Sequence, residues 1–304
     1  MHMLARMKTM TTRETGRNSE SESIHLAIPK GRMQVAVVKL LEDAGIEVRN
    51  MSRGYRPAIS LPGYSVKLLK PQNIVEMLHL GSRGAGFAAA DWVAELGADV
   101  VELLDTRLDP VRIVAAAPPE LLARGLEQGL CVIASEYEQL TRSWMTARGY
   151  KATFVRSYGA TEVFPPEDAD AIVDNTATGD TLRANNLEIF DELMTSSTRL
   201  YASRRATLDP RKKEALDRLV LLLRSVLEAR RRVMVEVNVS EECLDAVLGV
   251  LPCMREPTIS SLRGNTGYAV KAAVPRELLA TVIPEIRARG GTDIVVSTLA
   301  QLVA

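Results

Sequence analysis

From Asp174 to Leu182 the chain reads Asp174-Asn175-Thr176-Ala177-Thr178-Gly179-Asp180-Thr181-Leu182. An apolar run, Ala171-Ile172-Val173, precedes this stretch and reads as a short buried strand. Leu182-Arg183-Ala184-Asn185 continues it and reads as a first helical turn. A strand, an acid, hydroxyls, a glycine and a helix start together make the layout of an anion cradle. The first N–H groups of a helix have no partner inside the helix, and its dipole favours negative charge at that end. Gly179 lets the backbone come close to a ligand, and Thr178 and Thr181 add hydroxyl donors. An acidic residue just upstream suits sugar hydroxyls or a hydrated Mg2+. The ligand this points to is a phosphorylated pentose. The same residues also fit a plain strand-to-helix turn capped by threonine.

A second group lies near the start. Lys30-Gly31-Arg32 falls where an apolar strand, Ile24 to Ile28, gives way to a helix. In an open α/β sheet, ligands bind at the carboxyl ends of the strands. Two cations and a glycine there suit a pyrophosphate or triphosphate; a basic cap on a surface turn is the alternative. Arg53, Arg56 and Lys70 are further candidates for the same pocket. Glu162 is either a ribose or metal contact or a solvated helix residue. The run Arg230-Arg231-Arg232 fits a phosphate patch, and equally the cationic end of a helix.

The elements that position these residues follow from periodicity and punctuation. A helix with Val35, Val38 and Leu41 on its apolar stripe ends near Gly45. A strand over Val66 to Leu69 leads to a helix from Pro71 through Met77. Ala85-Gly86-Phe87 reads as a strand of small residues, with Asp91-Trp92-Val93 opening a helix. Val100 to Leu104 and Val111 to Ala116 read as two strands. A second α/β set starts near Pro118: strands at Cys131 to Ile133 and Ala152 to Val155 flank a helix from Tyr137 to Ala147, and a helix starts at Gly159 to Glu162. Leu187 to Leu193 and Arg199 to Ala202 read as separate strands. Such alternation is the α/β signature with a largely parallel sheet. Asp209-Pro210 starts a long helix whose stripe is Leu216, Leu219, Val220, Leu223, Val226 and Leu227.

The pattern changes at Val233. Val233 to Val239 alternates as a strand does, Ser240 caps a helix, Thr258 to Leu262 and Tyr268 to Val274 are strands, Pro275 starts a helix, and Ile294 to Val296 is the last strand. That order is βαββαβ, the ferredoxin-like plan.

Composition bounds the function. Lysine plus arginine equals aspartate plus glutamate at 38 each, and aromatics are 4%. Binding of nucleic acid by bulk charge or by stacking platforms is therefore not expected. Cys131, Cys243 and Cys253 form no CxxC, and His2, His25 and His79 show no metal-ligand spacing, so free thiols in a reducing cytoplasm are expected. No apolar run approaches the ~20 residues of a membrane span. Residues 1–23 are polar, lack an apolar core and read as a disordered extension, not a signal peptide.

Several segments together resemble the long form of ATP phosphoribosyltransferase, the first enzyme of histidine biosynthesis. They are Leu26-Ala27-Ile28-Pro29-Lys30-Gly31-Arg32, Tyr55-Arg56-Pro57, Leu69-Lys70-Pro71-Gln72-Asn73-Ile74, Asp170 to Asp174, Thr178 to Asn185, and the tail from Val235 to Ile294. The resemblance implies a two-lobed, periplasmic-binding-protein-like catalytic body followed by a ferredoxin-like regulatory domain. Lobe I would comprise residues 24–116 and 203–231, lobe II residues 117–202, and the regulatory domain residues 232–304. It implies that 5-phosphoribosyl 1-pyrophosphate is held by Glu162, Asp174, Ala177, Thr178, Gly179, Asp180, Thr181 and Leu182. ATP or pyrophosphate would lie on Lys30, Gly31, Arg32, Arg56 and Lys70, with Mg2+ bound mainly through substrate phosphates. No side chain is assigned as acid or base. Histidine as feedback inhibitor, a hexamer with dimer forms and a cytoplasmic setting are implied as well.

The chain departs from the family pattern before its Asp-Trp pair. In Gly81 to Trp92, Gly84 stands where the family has an acid, and Ala88 and Ala89 stand where it has Thr-Gly; Asn73 and Lys70 replace a usual Asp and Arg. Read as losses from the first-lobe wall of the cleft, these changes point to altered nucleotide recognition or weakened turnover. They leave open a transferase with another nucleophile, or a non-catalytic paralogue that binds a nucleotide or histidine.

Overall fold

The computed structural model describes residues 23–51, 54–126 and 131–303. The expected extension, apart from Ser23, and the candidate Arg53 lie outside the described residues. Two compact units form, Met1–Lys39 with Ile46–Asp217, and Leu40–Gly45 with Arg218–Ala304.

The first unit is built on one eight-stranded sheet of order β4-β1-β5-β10-β6-β9-β7-β8. One side holds β1 (Ile24–Pro29), β4 (Tyr64–Leu69) and β5 (Ala85–Ala89), mutually parallel through β1. The other side holds β7 (Val132–Ser135), β8 (Thr153–Arg156) and β9 (Ala171–Thr176), parallel through β7. Between them run two long strands, β6 (Val100–Ala117) and β10 (Glu188–Ser203), paired antiparallel with several register shifts. The sheet is therefore mixed, not largely parallel. Each of these long strands was expected as two short ones. Arg107 and Asp109 within β6 take positive φ, and the irregularities beside Ser196 and Thr198 in β10 take up the offset, so the ladder bends without breaking. Two parallel halves joined by long antiparallel strands make the two-lobed, periplasmic-binding-protein-like body. A short hairpin of β2 (Val48–Arg49) and β3 (Ala58–Ile59) stands apart from this sheet.

Helices cover both halves. In the first lobe they are α1 (Arg32–Asp43), α2 (Pro71–His79) and α3 (Ala90–Glu95). Val37, Val38, Leu40 and Leu41 of α1 are buried, but Val35 is 77% exposed and does not belong to the stripe. Helix α2 lies so close to β5 that a Cβ on Gly86 would sit 2.6 Å from Ile74 and 3.1 Å from Ala27. Small residues in β5 are thus a packing requirement. In the second lobe α4 (Pro119–Arg124), α5 (Glu138–Arg148) and α6 (Asp180–Ala184) follow, and the expected helix start near Glu162 is a single 3-10 turn, Thr161–Val163. A short helix not expected from the sequence, α7 (Arg204–Leu208), precedes the long α8 (Pro210–Arg231), whose first turn is capped by the Asp209 carboxylate accepting from the Arg211 and Lys212 N–H groups.

In the second unit, β11 (Arg232–Val239), β12 (Thr258–Ser261), β13 (Tyr268–Pro275) and β14 (Thr292–Thr298) pair antiparallel in the order β12-β13-β11-β14. With α9 (Leu244–Leu248) and α10 (Leu279–Ala288) this is the ferredoxin-like plan. Alternate residues Val233, Val235, Val237 and Val239 face a core completed by Val247, Val270, Val274, Val282 and Ile286. Ser240 precedes its helix without making a side-chain cap hydrogen bond, contrary to expectation.

Candidate active site

Strand β9 carries the acid-and-hydroxyl stretch further in extended form than the apolar run alone indicates. Asp174, Asn175 and Thr176 are still in the strand, paired through β6 at Val114, Ile113 and Arg112. The chain then turns at Gly179, whose φ of +81° is a left-handed conformation and which stands immediately before α6. A Cβ there would meet the Arg183 guanidinium at 2.9 Å. The Gly179 N–H is not free: it donates to the Thr176 hydroxyl at 2.9 Å. The Thr178 hydroxyl donates to the Asp180 carboxylate at 2.6 Å, and that carboxylate also pairs with Arg183. These contacts, the Thr178 hydroxyl first, hold the Asp180 carboxyl below its ordinary range. The turn is thus preformed by its own side chains.

Around it lies a cavity of 290 Å³ lined by Arg32, Glu162 and the residues from Asp174 to Thr178, with Asp180 to Leu182 completing it. Burial pushes the Asp174 carboxyl up to about 6; the hydrogen bond from the Asn175 N–H opposes this, and the negative charges of Glu162 and Glu136 add to it. Across from the turn, a second cavity of 200 Å³ shares Arg32 and Asn175 with the first and adds Lys30, Ala89, Asp91, Trp92 and Tyr137. Lys30 and Arg32 come from the carboxyl end of β1, as the switch from strand to helix requires. The Lys30 ammonium lies 3.9 Å from the Tyr55 ring centre.

A buried hydrogen-bond chain ties the lobes together behind these cavities. The Tyr137 hydroxyl donates to Asp91 at 2.7 Å, and Ser196 donates to the other Asp91 oxygen at 2.8 Å. The Asn175 amide reaches both the Tyr137 oxygen and Asp174 at 3.2 Å. Burial, and then the Asp91 charge, raise the Tyr137 hydroxyl far above its ordinary range. One turn along α3, Glu95 accepts from the Gln139 and Leu140 N–H groups at 3.0 and 2.9 Å and so caps α5. The Trp92 and Tyr137 rings pack against one another, tilted by 33°, with centres 4.9 Å apart.

Of the expected site residues, Lys30, Arg32, Glu162 and the turn from Asp174 to Leu182 come together, and Gly31 forms the loop between Lys30 and Arg32. Arg56 does not join them: it lines a separate cavity with His25, Ser65 and Arg83. Lys70 is exposed at the start of α2, its side chain capping nothing, and it lines neither cavity of the cleft. Gly84 lies at the opposite end of β5 from the cleft, where its N–H donates to the His25 carbonyl. Ala88 is fully buried, so among the departures in Gly84 to Ala90 only Ala89 faces the cleft. Tyr137 and Glu95 had no assigned role in the sequence; acids four residues apart on a short helix, flanking a tryptophan, were the available signal.

Comparison with known proteins decides the family. The family model described as ATP phosphoribosyltransferase matches residues 70–225, and one described as HisG, C-terminal domain, matches residues 229–301. The chain belongs to the ATP phosphoribosyltransferase family. Among its relatives, the ATP phosphoribosyltransferase of Desulforudis audaxviator is 38% identical, covering 90% of this chain and 96% of that protein. That of Pelotomaculum thermopropionicum is 35% identical, covering 92% and 99%. A solved ATP phosphoribosyl transferase (HisG:HisZ) complex from Thermotoga maritima matches 67% of this chain and 98% of its own, with a TM-score of 0.60 and 26% identity. ATP phosphoribosyltransferase is a pentosyl-transferring enzyme acting at the first step of histidine biosynthesis, and this chain carries its long form with the C-terminal domain. Among the described residues no helix is long and apolar enough to cross a membrane.

Proposed function

We propose that the two cavities are the two substrate subsites of one phosphoribosyl transfer. The observation that carries this is that Arg32 and Asn175 line both, so a ligand on the turn and a ligand on the opposite wall meet at shared residues. The 5-phosphate of 5-phosphoribosyl 1-pyrophosphate lies on the turn from Ala177 to Leu182, and Asp174 accepts from the ribose hydroxyls. Lys30 and Arg32 bind the pyrophosphate and the ATP phosphates, and the Trp92–Tyr137 pair offers a face for the adenine. Adenine N1 attacks ribose C1 with inversion as the C1–oxygen bond to pyrophosphate breaks. The carboxylates at Asp174 and Glu162 favour the positive charge that develops on the ribose, and the cations favour the departing pyrophosphate.

No group of three or more potential metal ligands occurs among the described residues. The oxygen donors present, Asp174 and Glu162 on one cavity, fit a Mg2+ carried mainly by substrate phosphates, where it supplies charge neutralisation of the leaving group. Histidine inhibition through the ferredoxin-like unit, a hexamer with dimer forms and a cytoplasmic setting belong to the same reading. With Gly84 away from the cleft and Ala88 buried, Ala89 is the one of these departures that lines the nucleotide wall, which favours the ordinary transfer over a different nucleophile or a non-catalytic paralogue.

Incubation with ATP, 5-phosphoribosyl 1-pyrophosphate and Mg2+ yields phosphoribosyl-ATP and pyrophosphate. No product under conditions in which the donor demonstrably binds would sink the reading. Added histidine lowers that rate and shifts sedimentation toward the larger species; an unchanged rate at saturating histidine removes the regulatory role.

A further inference from the structure

At the end of the first lobe away from the cleft lies a wide concavity. A cavity of 730 Å³ adjoins one of 300 Å³, the two sharing Ser23, His25 and Ser82. Because β1, β4 and β5 are parallel, their amino ends form this rim and their carboxyl ends form the cleft. The two regions share no lining residue.

The charge of the groove is one-sided. Arg56, Lys67 and Arg83 line the larger part, Arg205 and Lys212 the smaller, and among the described residues no carboxylate lines either. Among the described residues none of these five side chains has a carboxylate within ion-pair distance. Elsewhere in the same unit arginines do find acids: Arg148 with Asp191 at 2.8 Å, Arg199 with Glu102 at 2.7 Å, Arg204 with Asp99 at 2.6 Å. Burial of Arg83, and then the neighbouring Arg56 charge, lower its guanidinium from the ordinary value. Arg83 and Lys67 are half-buried and Arg56 is exposed; like charges gathered without a counterion are unfavourable unless an anion offsets them. Gly84, next to Arg83 in the chain, has no side chain to offset that charge.

We propose that this groove is a second anion site, distinct from the substrate cleft, that takes a small polyphosphate-bearing anion between Arg56, Lys67 and Arg83. Guanidinium groups hold phosphate oxygens by paired charge-assisted hydrogen bonds, and the cavity has room for a chain of several phosphates. The phosphate chain is the recognised part, whether it arrives as an inorganic polyphosphate or on a nucleoside.

Isothermal titration of the full chain with inorganic tripolyphosphate tests this, at low ionic strength and with the cleft saturated by 5-phosphoribosyl 1-pyrophosphate. Binding persists in the presence of the donor, weakens as salt is raised, and weakens about tenfold in Arg83→Gln. Arg83→Lys, which keeps the charge, retains more of the affinity, and donor affinity and melting temperature stay at wild-type values in both variants. Loss of tripolyphosphate binding when the donor is present, or wild-type affinity in Arg83→Gln, overturns the site. Equal affinity for GTP assigns recognition to the phosphates alone, and tighter GTP binding adds a contact to the base.

Discussion

The cavity at the turn from Asp174 to Leu182 is lined mostly by that one continuous stretch, joined by Arg32 and Glu162, whereas the wall across from it gathers Lys30 and Arg32 from the end of β1 and the start of α1, Ala89 from β5, Asp91 and Trp92 from α3, and Tyr137 from just before α5. The turn closes on itself through Thr176, Thr178, Asp180 and Arg183. The wall is held by Asp91, Ser196, Tyr137 and Asn175, which lie far apart in the chain. A locally closed loop can be altered at a ligand-facing atom with little effect on the rest of the fold. A wall held by buried, long-range hydrogen bonds couples recognition to stability, because each lost partner leaves a polar atom stranded in low dielectric.

Asp174→Asn gives the largest expected effect. It removes the carboxylate from the turn and lowers kcat/KM by about 100-fold, through loss of donor affinity. The same substitution stabilises the substrate-free fold at neutral pH. The Asp174 carboxyl is raised to about 6 in the folded chain from an ordinary 3.8, so its favourable contribution is complete below about 3.8 and is lost as pH rises through 6. Asparagine escapes that loss, and the gain in unfolding free energy above pH 6 is about 1–3 kcal/mol, shrinking toward zero near pH 4. Denaturant titrations at pH 4.5 and 8 check the sign. A variant less stable than wild type at the higher pH would make Asp174 a structural residue and erase the contrast with the wall.

Tyr137→Phe is expected to act mainly on the wall. It leaves one Asp91 oxygen buried without its donor and costs about 1–3 kcal/mol of stability. Nucleotide KM rises while donor affinity, read separately by titration, stays near wild type. If donor affinity falls as far as nucleotide affinity does, the Asn175 link carries the effect to the turn, and the two regions work as one.

Gly84→Asp is expected to do least in the cleft, with kcat/KM within about twofold of wild type, because the position lies at the far end of β5. A Cβ there would lie 3.3 Å from the Ile24 side chain, close enough to need a small adjustment but not a rebuilt strand. A larger kinetic change would return this position to the catalytic wall.

What could be read from the chain alone follows the range of the interactions involved. Helix α2, opened by Pro71, and α8, opened by Asp209-Pro210, were legible because caps and apolar stripes act within a few residues. The continuity of β6 and β10 was not, because a polar, turn-like interruption inside a strand is held extended by the neighbouring strand, and that neighbour lies some 90 residues away along the chain. The same distinction separates Gly86, forced small by α2 packing against it, from Gly84, whose neighbours do not identify its face.

The sequence by itself determined the identity of the family, the strand-to-helix turn from Asp174 to Leu182, and the βαββαβ order of the tail. Each of these is written in adjacent residues whose backbone and side-chain chemistry is local. Only the tertiary structure decided which distant cations meet that turn. It brought Lys30 and Arg32 to the cleft, and it carried Arg56 and Gly84 to a separate basic groove. The ends of parallel strands are sorted by sheet register and helix packing, which no single stretch of sequence contains.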